Sequence, residues 1–154
     1  MDFVYIWEDM CYNHGSMISP KLFRELMLPR YKLLTDAVHK AGIEFVFVDT
    51  DGDCTELLDL IVEGGCDAVL PFEVGSGMDV SVVRAEYPKL GLAGGVNKIV
   101  PAGSVLQIEK ELEKVEKVIK KGRYIPSSDH PVLPNVSYEQ YISFYTRIGK
   151  MMGR

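Results

Sequence analysis

Acidic, amide and histidine side chains recur in this 154-residue chain directly after short apolar runs. Asp49 and Asp51 follow the apolar residues Phe45–Val48, and their two-residue spacing puts both side chains on one face if the strand continues. Carboxylates that pack together push one pKa upward, which produces a general acid at neutral pH. The other candidates of this kind are Glu8, Asp9, Glu73, Asn97, Lys98, Ser127, Asp129 and His130.

Different candidates suit different tasks. Glu8, Asp9 and His130 are predicted to be catalytic, since carboxylates and imidazole are the usual proton donors and acceptors at neutral pH. Asn97 and Lys98 can hold a substrate carboxylate or phosphate through charge-assisted hydrogen bonds. Ser127 and Asp129 are predicted to bind substrate with them, and Asp129 can also orient the ring of His130 or cap a turn.

Each candidate also has a purely structural interpretation, and the sequence leaves both open. Asp49 to Asp53 reads Asp-Thr-Asp-Gly-Asp, which is also a good Asx turn before a helix that begins near Thr55. Glu73 can be a solvent-exposed strand end, and Lys98 can pair with a neighbouring carboxylate.

The elements that must position these residues alternate between apolar runs and amphipathic segments. Because parallel neighbours need crossover connections, five such pairs predict a parallel sheet. In a (β/α) barrel the carboxyl ends of the strands share one mouth, so the polar residues would meet there. The predicted strands are Phe3–Trp7, Phe45–Val48, Ala68–Phe72, Leu90–Val96 and Tyr124–Ile125. The predicted helices begin at Ser19-Pro20 with a kink at Pro29, near Thr55, at Asp79, at Leu106 and after Ser137.

Five units are fewer than the eight of a closed TIM barrel. We therefore expect an α/β fold that forms a partial (β/α)8 barrel, as a single domain over residues 1–154, with the first three units absent and a docking helix at the end. An autonomous open α/β sheet is the alternative. The chain has no G-x-G-x-x-G loop, which argues against a dinucleotide-binding version of that sheet.

Composition excludes several classes of partner. The formal net charge of −5 and the pI near 5.2 argue against a nucleic-acid-binding face. The sequence also contains no long apolar span that would predict a membrane helix. The cationic cluster from Lys114 to Arg123 is interleaved with and preceded by Glu109, Glu111, Glu113 and Glu116, which is typical of a solvated helix face. The 3 cysteines have no C-x-x-C spacing, so we expect a reducing, cytoplasmic setting.

Several segments, taken in order, resemble the uroporphyrinogen decarboxylase superfamily, and together they run through nearly the whole chain. The resemblance implies the last five strands of a (β/α)8 barrel. The superfamily includes the decarboxylase of haem biosynthesis, zinc-dependent methyltransferases that act with corrinoid proteins, and a related methionine synthase. The segments are Trp7–Met10 with Ile18–Pro20, Val48–Gly52, Gly94–Lys98 and Tyr124–His130.

The methyltransferase branch implies a metal site. Its His-x-Cys pair, its later Glu and its last ligand correspond here to Asp49, Asp51, Glu73 and a position near Asp129 or His130. Both thiolates of the family are therefore replaced, which puts zinc in doubt, and Mg²⁺, Mn²⁺ or Fe²⁺ suit these ligands equally.

The decarboxylase branch fits less well. Asp9 stands in place of its Ser, His130 lies in Asp-His-Pro instead of Gly-His-Gly, and an acidic mouth repels an octacarboxylate substrate. The resemblance therefore implies a methyltransferase-like enzyme that moves a methyl group from a small methoxy or methylamine-type donor to a corrinoid protein docked over the mouth. The alternatives are uroporphyrinogen decarboxylase itself, and a non-catalytic partial barrel that forms a homo-oligomer through its edge strands.

Overall fold

The computed structural model describes all residues, 1–154, and contains one sheet of five parallel strands together with a two-stranded hairpin. Aromatic and β-branched residues dominate the first strands of the sheet, as expected for strands covered by helices. In chain order the sheet strands are β1 (Phe3–Trp7), β4 (Phe45–Asp49), β5 (Ala68–Leu70), β6 (Gly91–Val96) and β7 (Tyr124–Ser128). The hairpin strands are β2 (Cys11–Tyr12) and β3 (Gly15–Ser16).

The sheet strands lie side by side in chain order, β1-β4-β5-β6-β7. Every crossover therefore steps in the same direction, and right-handed crossovers then place all helices on one face of the sheet. A doubly wound open sheet would instead reverse its order at a switch point. The predicted α/β fold with a partial barrel is confirmed, and the sheet is not closed, since β1 and β7 each pair with one neighbour only.

The helices begin largely where caps predicted them. The helices are α1 (Pro20–Leu22), α2 (Leu28–Lys40), α3 (Leu58–Glu63), α4 (Val80–Glu86), α5 (Val105–Ile119) and α6 (Tyr138–Met151). Short 3₁₀ turns occupy Thr55–Leu57, Val74–Ser76 and Val100–Ala102. Ser137 and Gln140 form a capping box at the start of α6, as do Ser104 and Gln107 at α5. None of these helices is long and apolar enough to cross a membrane.

A π turn over Phe23–Met27 separates α1 from α2. Pro29 has no N–H, so the carbonyl four residues before it loses its donor and the hydrogen-bond ladder shifts. The N–H of Leu28 accordingly donates to the carbonyl of Phe23. The predicted interruption near Pro29 therefore takes the form of a wider turn just before it.

The two faces of the sheet differ in burial. Val46 and Val48 are fully buried against the helices, where the main core of 22 residues lies. The opposite face, here called the open face, carries Phe3, Tyr5, Trp7, Phe45 and Ile125, all of them exposed. A groove of about 480 Å³ runs along this face.

Some strand bounds differ from the prediction. Strand β5 ends at Leu70 because Pro71 has no N–H to continue the ladder. Strand β7 continues to Ser128, beyond the predicted end at Ile125. Glycine in β6 permits a close approach to the residue after β5, because a Cβ at Gly94 would overlap the carbonyl oxygen of Pro71.

Candidate functional site

Three aspartates meet where β1 and β4 end. The register pairs Trp7 with Asp49, so the loops after both strands leave the sheet side by side. One carboxylate oxygen from each of Asp9, Asp49 and Asp51 lies within 4.8 Å of the others. Asp9 has a φ of 42°, and this left-handed turn brings it back over the strand end. We call these three residues the aspartate cluster.

Two aromatic residues of the open face hold this cluster. The indole Nε1 of Trp7 donates to Oδ2 of Asp9 at 2.9 Å, and the hydroxyl of Tyr5 donates to the carboxylate of Asp49. Tyr5, Trp7 and Asp9 are spaced two apart on β1 and just beyond it, which is the period of one strand face. Neither aromatic residue was among the predicted site residues, although this spacing would have identified them.

Like charge accumulates in the aspartate cluster. Burial raises the pKa of Asp49; the hydrogen bond from Tyr5 opposes this, and the neighbouring carboxylates of Asp51 and Asp9 raise it further. Burial, followed by the hydrogen bond to Asp49, raises the pKa of Tyr5 to about 12. A bound cation would relieve this repulsion, and carboxylate oxygens are the ligands that hard divalent ions prefer.

A second group of titratable side chains lies beside the cluster. Oε1 of Glu73 lies 3.4 Å from Nζ of Lys98 and 3.9 Å from Nδ1 of His130. Nε2 of His130 lies 3.4 Å from Oδ1 of Asp51, so the imidazole connects the two groups. Its Nδ1 is buried and has no hydrogen-bond partner within the protein. The structure thus brings Glu73, Lys98 and His130 together with the aspartate cluster.

The carboxylate of Glu73 is held in place and ionised. Its Oε2 accepts hydrogen bonds from the N–H of Gly52 at 3.2 Å and from the hydroxyl of Ser76 at 2.9 Å. Burial alone would raise the pKa of Glu73, but the Ser76 hydrogen bond and the positive charges of His130 and Lys98 bring it below its ordinary value. Glu73 is therefore a fixed negative charge beside His130 and Lys98.

Asp129 is buried, and each oxygen of its carboxylate accepts a hydrogen bond from a backbone N–H. Only 2% of its surface is exposed. Its Oδ2 accepts from the N–H of Val74 and its Oδ1 from the N–H of Lys98, both at 3.0 Å. The residue therefore fastens the loops that follow β5 and β6 to the end of β7. Its predicted contact with substrate remains a prediction, whereas its contact with these loops is direct.

Asn97 and Ser127, which were also predicted to bind substrate, differ in what their side chains contact. The side-chain oxygen of Asn97 accepts from the N–H of Ile99 at 3.1 Å, which forms a local turn. Ser127 is exposed on β7. The neighbouring Ser128 hydroxyl donates to the carbonyl oxygen of His130 at 2.6 Å and holds the loop that carries the imidazole.

Glu8 lies apart from the aspartate cluster. Alternation along β1 sends its side chain to the helix-covered face, where it lines a small cavity with Arg30 and Tyr31. Glu8 was predicted to be catalytic together with Asp9, but the structure does not bring Glu8 into the strand-end site.

The cysteines give no thiolate ligand to this site. Cys11, Cys54 and Cys66 are free and buried, and none belongs to the aspartate cluster. Burial raises the pKa of Cys54 and of Cys66 to about 12, which disfavours the thiolate form. The donor set therefore does not fit zinc–thiolate chemistry, and it does fit a hard divalent cation bound by carboxylates.

Comparison with known proteins relates the chain to one family. The family described as "Uroporphyrinogen decarboxylase (URO-D)" matches residues 2–150. A curated uroporphyrinogen decarboxylase of Chlorobium limicola is 31% identical over 117 residues, which cover 75% of this chain and 32% of that protein. Its counterpart in Chlorobium chlorochromatii is 28% identical over 127 residues, covering 79% and 35%. The chain thus spans about a third of the length of these relatives.

A solved structure supports the fold. A methyltransferase from Methanosarcina mazei superposes with a TM-score of 0.67, covering 97% of this chain and 42% of that one. The two sequences are 14% identical, so this likeness concerns the fold alone.

Proposed function

Because the chain belongs to the uroporphyrinogen decarboxylase family, we propose that its strand-end site binds a divalent cation and serves the transfer of a methyl group from a small donor to a corrinoid protein. The observation that carries this proposal is the aspartate cluster. Three carboxylates within 4.8 Å of one another could hold a cation, and their negative charge disfavours a polyanionic substrate.

The cation would be held by Asp9, Asp49 and Asp51, with His130 adjacent. All three carboxylates are hard oxygen donors, which favours Mg²⁺, Mn²⁺ or Fe²⁺ over thiolate-bound zinc. When bound, such an ion supplies a Lewis acid that polarises the oxygen or nitrogen of the methyl donor. Tyr5 and Trp7 would keep Asp49 and Asp9 in position through their hydrogen bonds.

His130 is the residue best placed to move a proton. When a methoxy donor loses its methyl group, the oxygen left behind keeps the electron pair of the broken bond and must take up a proton. The imidazole lies between Asp51 and Glu73, at 3.4 and 3.9 Å, so it can exchange a proton with a donor bound at the strand ends. Glu73 would balance the charge, and Lys98 would hold Glu73 through their 3.4 Å contact. A reduced corrinoid supplies the nucleophile that accepts the methyl group.

Titration with Mn²⁺ tests the cation site directly. We expect calorimetry to give one site per chain, and Asp49→Asn to weaken Mn²⁺ binding by about tenfold or more, since one charge-assisted ligand is lost. Asp36→Asn, at an exposed position on α2, is the matched control and should bind as the unaltered chain does. Equal affinities in the two variants would exclude the aspartate cluster as the site.

Consumption of free cob(I)alamin, followed by its absorbance, tests the reaction. We expect Mn²⁺-dependent loss of cob(I)alamin with methanol or a methylamine, and we expect His130→Gln to slow this loss without lowering Mn²⁺ affinity as far as Asp49→Asn does. A rate that His130→Gln leaves unchanged would contradict the role of the imidazole as proton donor.

Decarboxylation of uroporphyrinogen is the second candidate, because the 31% identical relative carries that name. It needs no metal and would require cationic groups to offset the aspartate cluster. Incubation with uroporphyrinogen under anaerobic conditions, with and without EDTA, separates the two proposals. Decarboxylated products that form equally well in EDTA would favour this second candidate and overturn the first.

A further inference from the structure

Thr50 lies between two members of the aspartate cluster, Asp49 and Asp51, and is itself buried. Only 1% of its surface is exposed. A buried hydroxyl has lost its contact with water and therefore needs hydrogen-bond partners within the protein. The groups that bond to Thr50 lie at the ends of two other strands of the sheet.

The hydroxyl of Thr50 contacts the loop that follows β1. Its Oγ1 accepts a hydrogen bond from the N–H of Met10 at 3.0 Å, although the two residues are 40 positions apart in the sequence. The N–H of Thr50 donates to the carbonyl oxygen of Leu70, also at 3.0 Å, at the end of β5. Thr50 therefore connects the carboxyl ends of three neighbouring strands, β1, β4 and β5.

The hydrogen bond to Met10 also constrains Asp9. On the other side of Asp9, the N–H of Glu8 donates to the carbonyl oxygen of Asp49 at 3.0 Å. Asp9 therefore lies between two backbone amides that are both bound to the end of β4. Its φ of 42° is uncommon for a residue with a Cβ, and such a conformation persists where the surrounding contacts determine it.

The side chain of Asp9 has a weaker anchor than its backbone. Its Oδ2 accepts from the indole Nε1 of Trp7 at 2.9 Å, but Trp7 is largely exposed, so water competes for this bond. The bond between Met10 and Thr50 is buried, where a hydrogen bond is electrostatically stronger. The buried hydroxyl is therefore the firmer constraint on the position of Asp9.

We propose that Thr50 is a positioning residue of the cation site, and that its hydroxyl keeps Asp9 within reach of Asp49 and Asp51. The inference rests on the proposed function, since it concerns the site that would hold the cation. Thr50 acts through Asp9, because its Oγ1 is buried and serves the N–H of Met10. Without the hydroxyl, the loop after β1 would lose this bond to β4, and Asp9 would move away from the cluster.

Two substitutions of Thr50 in the whole chain test the inference by calorimetry with Mn²⁺. Valine keeps the branched shape and removes the hydroxyl, whereas serine keeps the hydroxyl and removes the methyl group. We expect Thr50→Val to weaken Mn²⁺ binding by about tenfold, as the loss of one charge-assisted ligand does. Thr50→Ser should bind Mn²⁺ within about twofold of the unaltered chain.

Two further variants separate positioning from a general loss of stability. In the background of Asp9→Asn, Thr50→Val should weaken Mn²⁺ binding no further, because residues that act as a unit are not additive. Thr35→Val is the matched control, since Thr35 on α2 is 2% exposed and its hydroxyl donates to the carbonyl oxygen of Gly64 at 2.8 Å. Thr35→Val should unfold at a lower urea concentration and leave Mn²⁺ affinity unchanged.

NMR without metal makes the test independent of cation binding. In the unaltered chain the amide of Met10 should be protected from hydrogen exchange as the amides of β4 are. In Thr50→Val this amide should exchange faster and the HN–Hα coupling constant of Asp9 should change, whereas Thr50→Ser should preserve both. If the unaltered chain binds no Mn²⁺ but these changes occur, the proposed function fails and the positioning of Asp9 by Thr50 stands.

Three outcomes would overturn the inference. The first is an unprotected Met10 amide in the unaltered chain, which needs no variant to fold. The second is an unchanged coupling constant of Asp9 in Thr50→Val. The third is a loss of Mn²⁺ affinity that is as large in Thr35→Val as in Thr50→Val, or that adds fully to the loss in Asp9→Asn.

Discussion

A buried carboxylate needs compensation for the water it loses, and Asp129 obtains it from two backbone amides. The donors come from Val74 and Lys98, which follow two different strands. Glu73 and Lys98, whose side chains meet at 3.4 Å, are thereby held at a fixed separation. Asp129 therefore acts as a positioning residue for the strand-end site.

Asp129→Asn should lower the free energy of unfolding by about 1–3 kcal/mol, because the amide nitrogen of Asn would face one of the two N–H donors. Amide hydrogen exchange at Val74 and Lys98 should accelerate more than exchange elsewhere. Ser127→Asn, at an exposed position of the same strand, is the control and should change neither quantity. A variant as stable as the unaltered chain, with unchanged exchange at both amides, would show that these bonds do not hold the loops.

The backbone of β6 lies unusually close to the end of β5. Gly94 has a φ of +92°, and a Cβ there would lie 2.0 Å from the carbonyl oxygen of Pro71. Gly42, which ends the helix before β4, has a φ of +82° but nothing within 4 Å of its Cβ position. The two glycines therefore share a positive φ and differ in their surroundings.

Substitution of these glycines separates the cost of a positive φ from the cost of the close backbone approach. Gly42→Ala should cost about 1 kcal/mol, the usual penalty for a left-handed residue with a Cβ. Gly94→Ala should cost clearly more, because the backbone of β5 must also move away. Urea unfolding of both variants gives the comparison. Equal losses would mean that the close approach of β6 to β5 contributes nothing beyond the backbone conformation.

Helix α4 depends on an N-terminal cap that responds to pH. Oδ1 of Asp79 accepts from the N–H of Ser81 at 2.7 Å and from its hydroxyl at 2.6 Å. Burial alone would raise the pKa of Asp79, but these hydrogen bonds bring it below its ordinary 3.8. A lowered carboxyl pKa adds stability that is complete above the unfolded value and is lost as pH falls through the folded value.

Asp79→Ala should therefore cost about 1 kcal/mol at pH 7, the typical value of a lost N-cap. The difference from the unaltered chain should shrink once the pH falls below the ordinary carboxyl pKa of 3.8. Asp79→Asn keeps an oxygen cap without the charge, so its stability should not show this acid-dependent change. Urea unfolding of the three proteins at pH 7 and pH 3 measures the effect, and a cost for Asp79→Ala that is equal at both values would contradict it.

Local signals in the sequence predicted most elements, and the exceptions have local causes too. Ser19-Pro20, Asp79 and Ser137 marked helix starts because their caps depend on neighbouring residues only. The hairpin of β2 and β3 was missed because strands of 2 residues carry no detectable alternation. Its position depends on a distant contact, since the carbonyl of Tyr12 accepts from the N–H of Asp53.

The strand-end site was only partly predictable, because parts of it also depend on contacts between residues that are far apart in the sequence. Strand ends identified Asp9, Asp49, Asp51 and Glu73, but the left-handed turn that places Asp9 beside the other aspartates is a property of the folded backbone. Alternation along β1 would have separated Glu8 from Asp9. The burial of Asp129 depends on donors that lie 55 and 31 residues away, and no local pattern indicates them.

At the scale of the whole molecule, the open face is the most exposed apolar surface of the sheet. Trp7 is 76% exposed and Ile125 is 58% exposed, although both lie on strands. The backbone of β1 and of β7 is also unpaired along one edge. Soluble proteins normally cover or charge such edges, and exposed apolar patches mark surfaces that associate.

We expect a second copy of the chain to cover this face when the chain is purified alone. Native mass spectrometry and sedimentation velocity at about 50 µM, a concentration at which even weak interfaces are populated, should show dimers or larger species. Phe45→Ser combined with Ile125→Ser should shift the chain toward monomer, because both residues line the groove on the open face. Leu33→Ser is the matched control, since Leu33 is 74% exposed but lies on α2.

The same spectra connect assembly with the cation site. A dimer that retains one divalent ion per chain would fit a site that remains accessible at the strand ends while the open face is covered. If the unaltered chain stays monomeric, or if Leu33→Ser reduces association as much as the double variant does, then the open face is not the contact between copies. Because the groove lies nearer the amino ends of the strands and the aspartate cluster lies at their carboxyl ends, we expect the double variant to keep its Mn²⁺ affinity.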